Sequence, residues 1–229
     1  MTASAGSVPT GAVVDIDPAQ EAYANNDPIT TLTDWTGNGW TATKAGVGAP
    51  TFKTNIINGL PVVRFAAADQ GFCNFSGSLS GAFSGSGTAV VLVKINTDPP
   101  AVSTSSGLWL MGAGTDSTHY PFTTGDIYDG ALSSVRRGPI TKAISLSAAF
   151  RSYVVTSTTN DYDIYLSNTS IFTDATNTFS FPATAAFGRS VDPTVFLDGD
   201  IARLLLYARV WDATDRTNWS NYTVSHYGL

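Results

Sequence analysis

The sequence predicts an all-β protein: a two-sheet antiparallel jelly-roll sandwich closed by one short C-terminal helix. Three observations carry this. A dozen or more short runs of alternating or continuous apolar residues are separated by Gly, Asn, Asp, Pro and Ser clusters, the chemistry of strands and tight turns. A 3.6-residue apolar period occurs in one place, near the C-terminus. No stretch repeats at a fixed spacing, which argues against a solenoid or propeller.

In chain order, residues 1–11 are small and polar, ending Pro9-Thr10-Gly11, and read as a flexible arm. A single domain is expected over 12–229. Ala12 to Ile16 is a first strand, and Ala19 to Asn26 is a helical turn before Asp27-Pro28. Thr36-Gly37-Asn38-Gly39 is a tight turn between Trp35 and Trp40, and Thr51-Phe52 and Val62 to Phe65 flank an Asn58-Gly59 turn. Phe72 to Phe75 is a short strand, and Ser76 to Gly87 is a Ser/Gly loop anchored by Leu79 and Phe83. From Ala89 to Asn96 apolar residues fall on both parities, so this strand is covered on both faces. A polar loop at 101–106 precedes a strand at Leu108 to Met111, and Gly112 to Tyr120 is a further loop. Gly125 to Tyr128 and Ala131 to Arg137 read as a hairpin around Asp129-Gly130. Phe150 to Thr156 and Tyr162 to Leu166 form another, through Thr159-Asn160-Asp161. Ile171-Phe172, Phe179 to Phe181 and Ala186 to Arg189 complete the set.

The stretch from Val195 to Leu229 is the most informative. Ala202, Leu204, Leu206 and Ala208 alternate onto one wholly apolar face, expected to be core. Arg203, Leu205, Tyr207 and Arg209 fall on a mixed face, expected to be half exposed. Asp212 has the character of a helix N-cap, with Asp215 completing an acidic capping box. Trp219, Tyr222, Thr223 and His226 then form one helical stripe, and Gly228 stops the helix.

Gly199-Asp200-Ile201, Leu205-Leu206-Tyr207, Asp212 and Tyr227-Gly228 stand near the C-terminus. Asp34-Trp35-Thr36-Gly37-Asn38-Gly39, Pro50-Thr51-Phe52, Asn58-Gly59, Pro61-Val62-Val63-Arg64-Phe65 and Phe187-Gly188-Arg189 stand before them. With these motifs in this order the chain resembles the laminin-G-like, concanavalin-A-like lectin and glucanase jelly rolls over nearly its whole length. The resemblance implies a sandwich whose ligand side carries loops, often with calcium beside the ligand.

Composition limits the functions. The formal net charge is −6 and no basic cluster exceeds Arg136-Arg137, so nucleic acid and anionic membranes are not expected partners. Cys73 is the only cysteine, which excludes an internal disulfide and a cysteine zinc site; it is expected as a small buried hydrophobe. No run approaches membrane-span length, and residues 1–11 lack a signal peptide's basic start and apolar run.

Catalysis is poorly supported. Glycosidases of the resembled family carry two glutamates flanking an aspartate on one strand, whereas this chain has one glutamate, Glu21, in a polar loop. Asp161 and Asp163 share a strand face but read as a solvated strand end. His119 and His226 are the only imidazoles. The loop Asp116-Ser117-Thr118-His119-Tyr120 has no nucleophile elbow beside it, and His226 reads as a packing residue. Two histidines cannot build a transition-metal site. A structural calcium ion is the candidate cofactor, with oxygens from Asp126, Asp129, Asp161 and Asp163 set against their plain reading as turn residues.

Sugar binding is better served, because aromatic faces stack on sugar rings while planar polar groups satisfy hydroxyls. His119, Tyr120, Asp126, Tyr128 and Arg136 are the candidate ligand residues; Trp109, within Leu-Trp-Leu-Met, reads as core. The expected function is a non-enzymatic surface adhesion or carbohydrate-binding protein. Scarcity of Glu with abundant Ser, Thr, Gly and Asn, and no signal peptide, points to a bacteriophage virion surface: a decoration, tail or fibre component. The expected partners are a glycan, other virion proteins and other copies of the chain. A purely structural decoration protein, and then a glycan-active hydrolase, are the alternatives.

Overall fold

The computed structural model describes residues 6–98, 106–112 and 118–229. The expectations placed on 1–5, on 101–105 and on Asp116 and Ser117 lie outside these residues. The strands, in chain order, are β1 (Val14–Ile16), β2 (Thr31–Thr33), β3 (Thr41–Gly46), β4 (Thr51–Ile57), β5 (Leu60–Phe65), β6 (Gly71–Phe75), β7 (Ser86–Ile95), β8 (Trp109–Leu110), β9 (Ile127–Asp129) and β10 (Arg137–Ile140). They continue with β11 (Arg151–Thr158), β12 (Asp161–Leu166), β13 (Thr169–Asp174), β14 (Ala186–Phe187) and β15 (Gly199–Tyr207), and α1 (Ala213–Tyr227) closes the fold.

All strand pairings are antiparallel. One sheet has eight strands, ordered β13-β12-β11-β7-β15-β5-β4, with β1 sharing an edge of β15 with β5. The second sheet runs β2-β3-β6-β14-β8, and β9 and β10 form a separate ribbon. The two sheets pack face to face. Ala42, Cys73, Phe75 and Phe187 of the smaller meet Val91, Val93, Val155, Leu204 and Leu206 of the larger in one buried cluster. Burial pushes the Cys73 thiol up to about 12, so it behaves as the expected hydrophobe.

A third layer lies on the outer face of the large sheet. Val90, Leu92, Val154, Ala202, Leu205 and Tyr207 pack there beneath Trp211, Trp219 and Tyr227. The helix begins as its sequence dictates. Asp212 accepts from the Asp215 amide at 2.8 Å, Asp215 accepts from the Asp212 amide at 3.1 Å, and Gly228 ends it with φ +73°.

Five expectations are corrected here. All nine residues of β15 are buried, so its second face is not half exposed. Its register shifts between Ile201 and Arg203, and the bulge sets Ala202 on the outer face with Leu205 and Tyr207, not with Leu204 and Leu206. Residues 6–11 are not a loose arm: Pro9 is buried, Val8 packs under α1, and the Pro9 carbonyl accepts from Tyr207 Oη at 2.7 Å. The hairpin expected at Asp129-Gly130 is wider, since Arg137 pairs with Asp129 and Ile140 with Ile127. Phe179 forms an isolated bridge with Ser133 rather than a strand.

Arg203 shows how the outer face is held. Its guanidinium makes a paired contact with Asp15 at 2.7 and 2.9 Å, reaches Asp17 at 3.3 Å, and donates to Tyr222 Oη at 2.6 Å. In equilibrium urea unfolding, Leu204→Ala and Leu206→Ala should each cost roughly 2–5 kcal/mol. Arg203→Ala should cost a comparable 3–5 kcal/mol or so, because it strands buried carboxylates. Removing residues 1–11 should lower stability by about 1–3 kcal/mol through lost Val8 and Pro9 contacts; an unchanged unfolding midpoint would restore the loose-arm reading.

Candidate functional site

The candidate site is an aromatic cleft of about 120 Å³ lined by His119, Phe122, Tyr128 and Arg136. Backbone pairing builds it. His119 and Tyr128 exchange amide–carbonyl hydrogen bonds at 2.8 and 2.9 Å, so their side chains project on one side of a short two-stranded bridge. Between them, the Phe122 amide donates to the Asp126 carbonyl at 2.8 Å and closes the loop beside the cis Tyr120-Pro121 bond. The Phe122 ring centroid lies 5.0 Å from that of His119 and 5.5 Å from that of Tyr128, both edge-to-face. The Arg136 guanidinium stands 5.1 Å over the Tyr128 ring. Gly138, at φ +139°, supports Tyr128 from behind; a side chain there would collide with the Tyr128 ring.

Charge in the cleft follows from burial. His119 is held below its ordinary value by burial and then by the positive Arg136, against a weaker opposing pull from Asp192, so it is neutral at pH 7. Its buried Nδ1 has no protein partner, which leaves a polar atom for a ligand or water to satisfy. The cleft therefore offers two aromatic rings, a neutral imidazole and one planar cation.

Of the residues the sequence proposed, His119, Tyr128 and Arg136 come together here. Asp126 does not join them: it opens onto a neighbouring shallow cleft of about 370 Å³ with Asp98, Thr124, Lys142 and Ser145. Tyr120 is corrected outright. It is fully buried and packs on Tyr153 at 4.8 Å between centroids, so it has no face to offer a ligand. Trp109 is core, as expected. Arg137 is also unavailable, being buried and ion-paired to Asp174 at 2.7 Å. Phe122 was missed, because the sequence shows it only as an apolar residue after a proline.

The calcium set is likewise corrected. Asp129 is fully buried and accepts from Ala131 N at 2.7 Å, Tyr153 Oη at 2.8 Å, Trp109 Nε1 at 3.0 Å and Thr118 Oγ1 at 3.3 Å. Its oxygens are committed to protein donors. Asp161 and Asp163 lie on β12, where Asp163 accepts from Tyr165 Oη at 3.1 Å. Among the described residues, no three His, Cys, Asp or Glu side chains converge to hold a metal ion. Asp129 is instead the post behind the cleft, tying β8, β9, β11 and the 118 segment together.

No protein-family model matches the sequence, and no curated protein matches it. Solved structures do. The receptor-binding domain of botulinum neurotoxin mosaic serotype C/D superimposes with a TM-score of 0.66 at 10% identity, over 94% of this chain and 51% of that one. The binding domain of botulinum neurotoxin DC in complex with SialylT gives 0.64 at 14% identity, over 92% and 51%. Domain 4 of AbnA, an extracellular arabinanase from Geobacillus stearothermophilus, in complex with arabinotriose, gives 0.59 at 15% identity, over 86% and 100%. This chain thus spans about half the length of the toxin structures and all of the arabinanase domain. At these identities the likeness shows the fold: an antiparallel jelly-roll sandwich.

Asp129 yields a pH-dependent prediction. Burial raises its pKa against four hydrogen bonds that lower it. A raised folded value means its stabilising contribution is complete at low pH and is lost as pH rises through that value. Asp129→Asn puts an amide donor among donors and should cost about 1–3 kcal/mol. The advantage of the native protein over this variant should shrink as pH rises above the ordinary carboxylate range. Parallel denaturation of the two proteins across pH measures this, and a widening gap would contradict the burial-dominated reading.

Proposed function

We propose that this protein is a non-enzymatic carbohydrate-binding jelly roll whose glycan contacts centre on Tyr128, Phe122, His119 and Arg136. The observation that carries this is the cleft itself: aromatic faces grouped with a stacked guanidinium and a neutral imidazole, at the surface of a lectin-like sandwich. Stacking would hold the apolar face of a sugar, while Arg136 would bond its hydroxyls. The neighbours favour the same reading, since two were solved with SialylT or arabinotriose bound. The Asp161/Asp163 pair is a weak base for hydrolysis, because Asp163 is already bonded by Tyr165 and lies on a hairpin apart from the cleft.

A cleft of this size grips a ring edge rather than enclosing a ligand. Single-site affinity is expected at about 0.1–1 mM, or about 4–5.5 kcal/mol, and becomes useful through copies displayed together. Composition favours display on a virion, laminin-G-like in role, where the same domain would serve as decoration, tail or fibre component. A structural decoration role without glycan binding is the second reading, and the same experiment separates them.

The test is a multivalent glycan array, repeated with Tyr128→Ala and Arg136→Ala. Each should reduce binding at least about fivefold, while Tyr120→Ala should act through stability alone. Arg137 is ion-paired to Asp174, so salt should weaken binding of an acidic glycan only modestly. Absence of binding by a folded, multimerised sample would leave the structural role. Binding that survives both cleft substitutions would move the site elsewhere.

A further inference from the structure

A second cavity, apart from the aromatic cleft, measures about 430 Å³ and lies between α1 and the outer face of the large sheet. Phe150, Val154 and Trp219 form its apolar wall. The Arg216 guanidinium stands 4.1 Å from the centre of the Tyr165 ring, which also lines the cavity.

Two features fix its chemistry. Arg216 faces the cavity and its lining contains no Asp or Glu side chain, although the whole chain carries −6; Arg151 alternates with Ser152 and Val154 and turns to the inner face of the sheet. Asp163 and Asp215, which both feel the Arg216 charge, lie outside the lining; Asp163 is bonded by Tyr165 Oη and Asp215 is ion-paired to Arg209. The guanidinium is also positioned before any ligand arrives: Arg216 donates to the Trp211 carbonyl at 3.1 Å. Trp219 is fixed by its own donation to Ser152 Oγ at 2.6 Å. A pre-formed cavity within the usual size range of ligand sites, walled by aromatic rings and locally cationic, suits an anion with a flat apolar body.

We propose that this cavity is a second ligand site, independent of the aromatic cleft, for a small carboxylate attached to a ring with an apolar face. Arg216 would take the carboxylate, and the ring would lie against Trp219 and Val154. An aromatic acid and a uronic acid both present this chemistry, and the test distinguishes them.

The full chain, labelled with nitrogen-15, is titrated with 3-phenylpropionate and with glucuronate, and in parallel with 3-phenylpropanamide and glucose. At least one acid should shift the Trp219 indole resonance and amides of 149–154, 165–168 and 216–224, with a dissociation constant at or below about 1 mM. Its uncharged counterpart should bind at least about tenfold more weakly, equivalent to one charge-assisted contact. Arg216→Gln should weaken the acid at least about fivefold and leave the uncharged compound unaffected. Ser220→Phe, which fills the cavity from the helix without removing a charge, should abolish both; a melting curve confirms that each variant is folded. If neither acid binds, if acid and neutral partner bind alike, or if the shifts map to the cleft of His119 and Tyr128, the proposal is overturned.

Discussion

The structure turns on the ion pair between Arg203 and Asp15. Arg203 sits at the middle of β15, the strand that β7, β5 and β1 all pair with, in a sheet region otherwise filled with aliphatic side chains. A buried cation there would be untenable alone. Its partners come from the two extremes of the chain: Asp15 on β1 and Tyr222 on α1. Closing the sheet with its first strand and covering it with its last helix are therefore coupled to neutralising one charge. The Arg64–Asp200 pair, also two-pronged at 2.7 Å, repeats the device where β5 joins β15. Electrostatics selects the register here, whereas apolar burial supplies the driving force.

Much of this was legible. Apolar runs bounded by turn residues marked β7, β11 and β12, and the capping box and Gly228 marked α1 to within a residue. What failed did so for local reasons. Strict alternation assigns Ala202 to the inner face, but a bulge inserts one residue and reverses the parity, and no residue type announces a bulge. Arg203 looks like a solvated residue until a helix remote in sequence is known to cover it.

The site was half legible for a similar reason. Aromatic and cationic residues crowding 119–136 drew attention to the right segment, but residue type does not say which way a side chain points. Neighbours in an extended segment face opposite ways, and since His119 pairs with Tyr128, Tyr120 had to turn inward. Asp129 looked like a turn aspartate, yet it anchors the segment through four donors. The cavity beneath α1 left no trace in the sequence, because 149–154, 165–168 and 216–229 meet only in the folded chain.

The rims of the large sheet carry a consequence for crowding. Its outermost strands are β13 and β4, and an unpaired rim is a template on which another molecule can add a strand. Neither rim is regular. The pairing of β4 slips between Lys53 and Ile57, with Asn55 in a left-handed conformation, and that of β13 slips at Ile164/Tyr165 opposite it. These kinks interrupt the straight row of amides and carbonyls that a foreign strand would need. Copies held shoulder to shoulder would thus meet through side chains and keep their sandwiches separate, rather than fusing into a continuous ribbon.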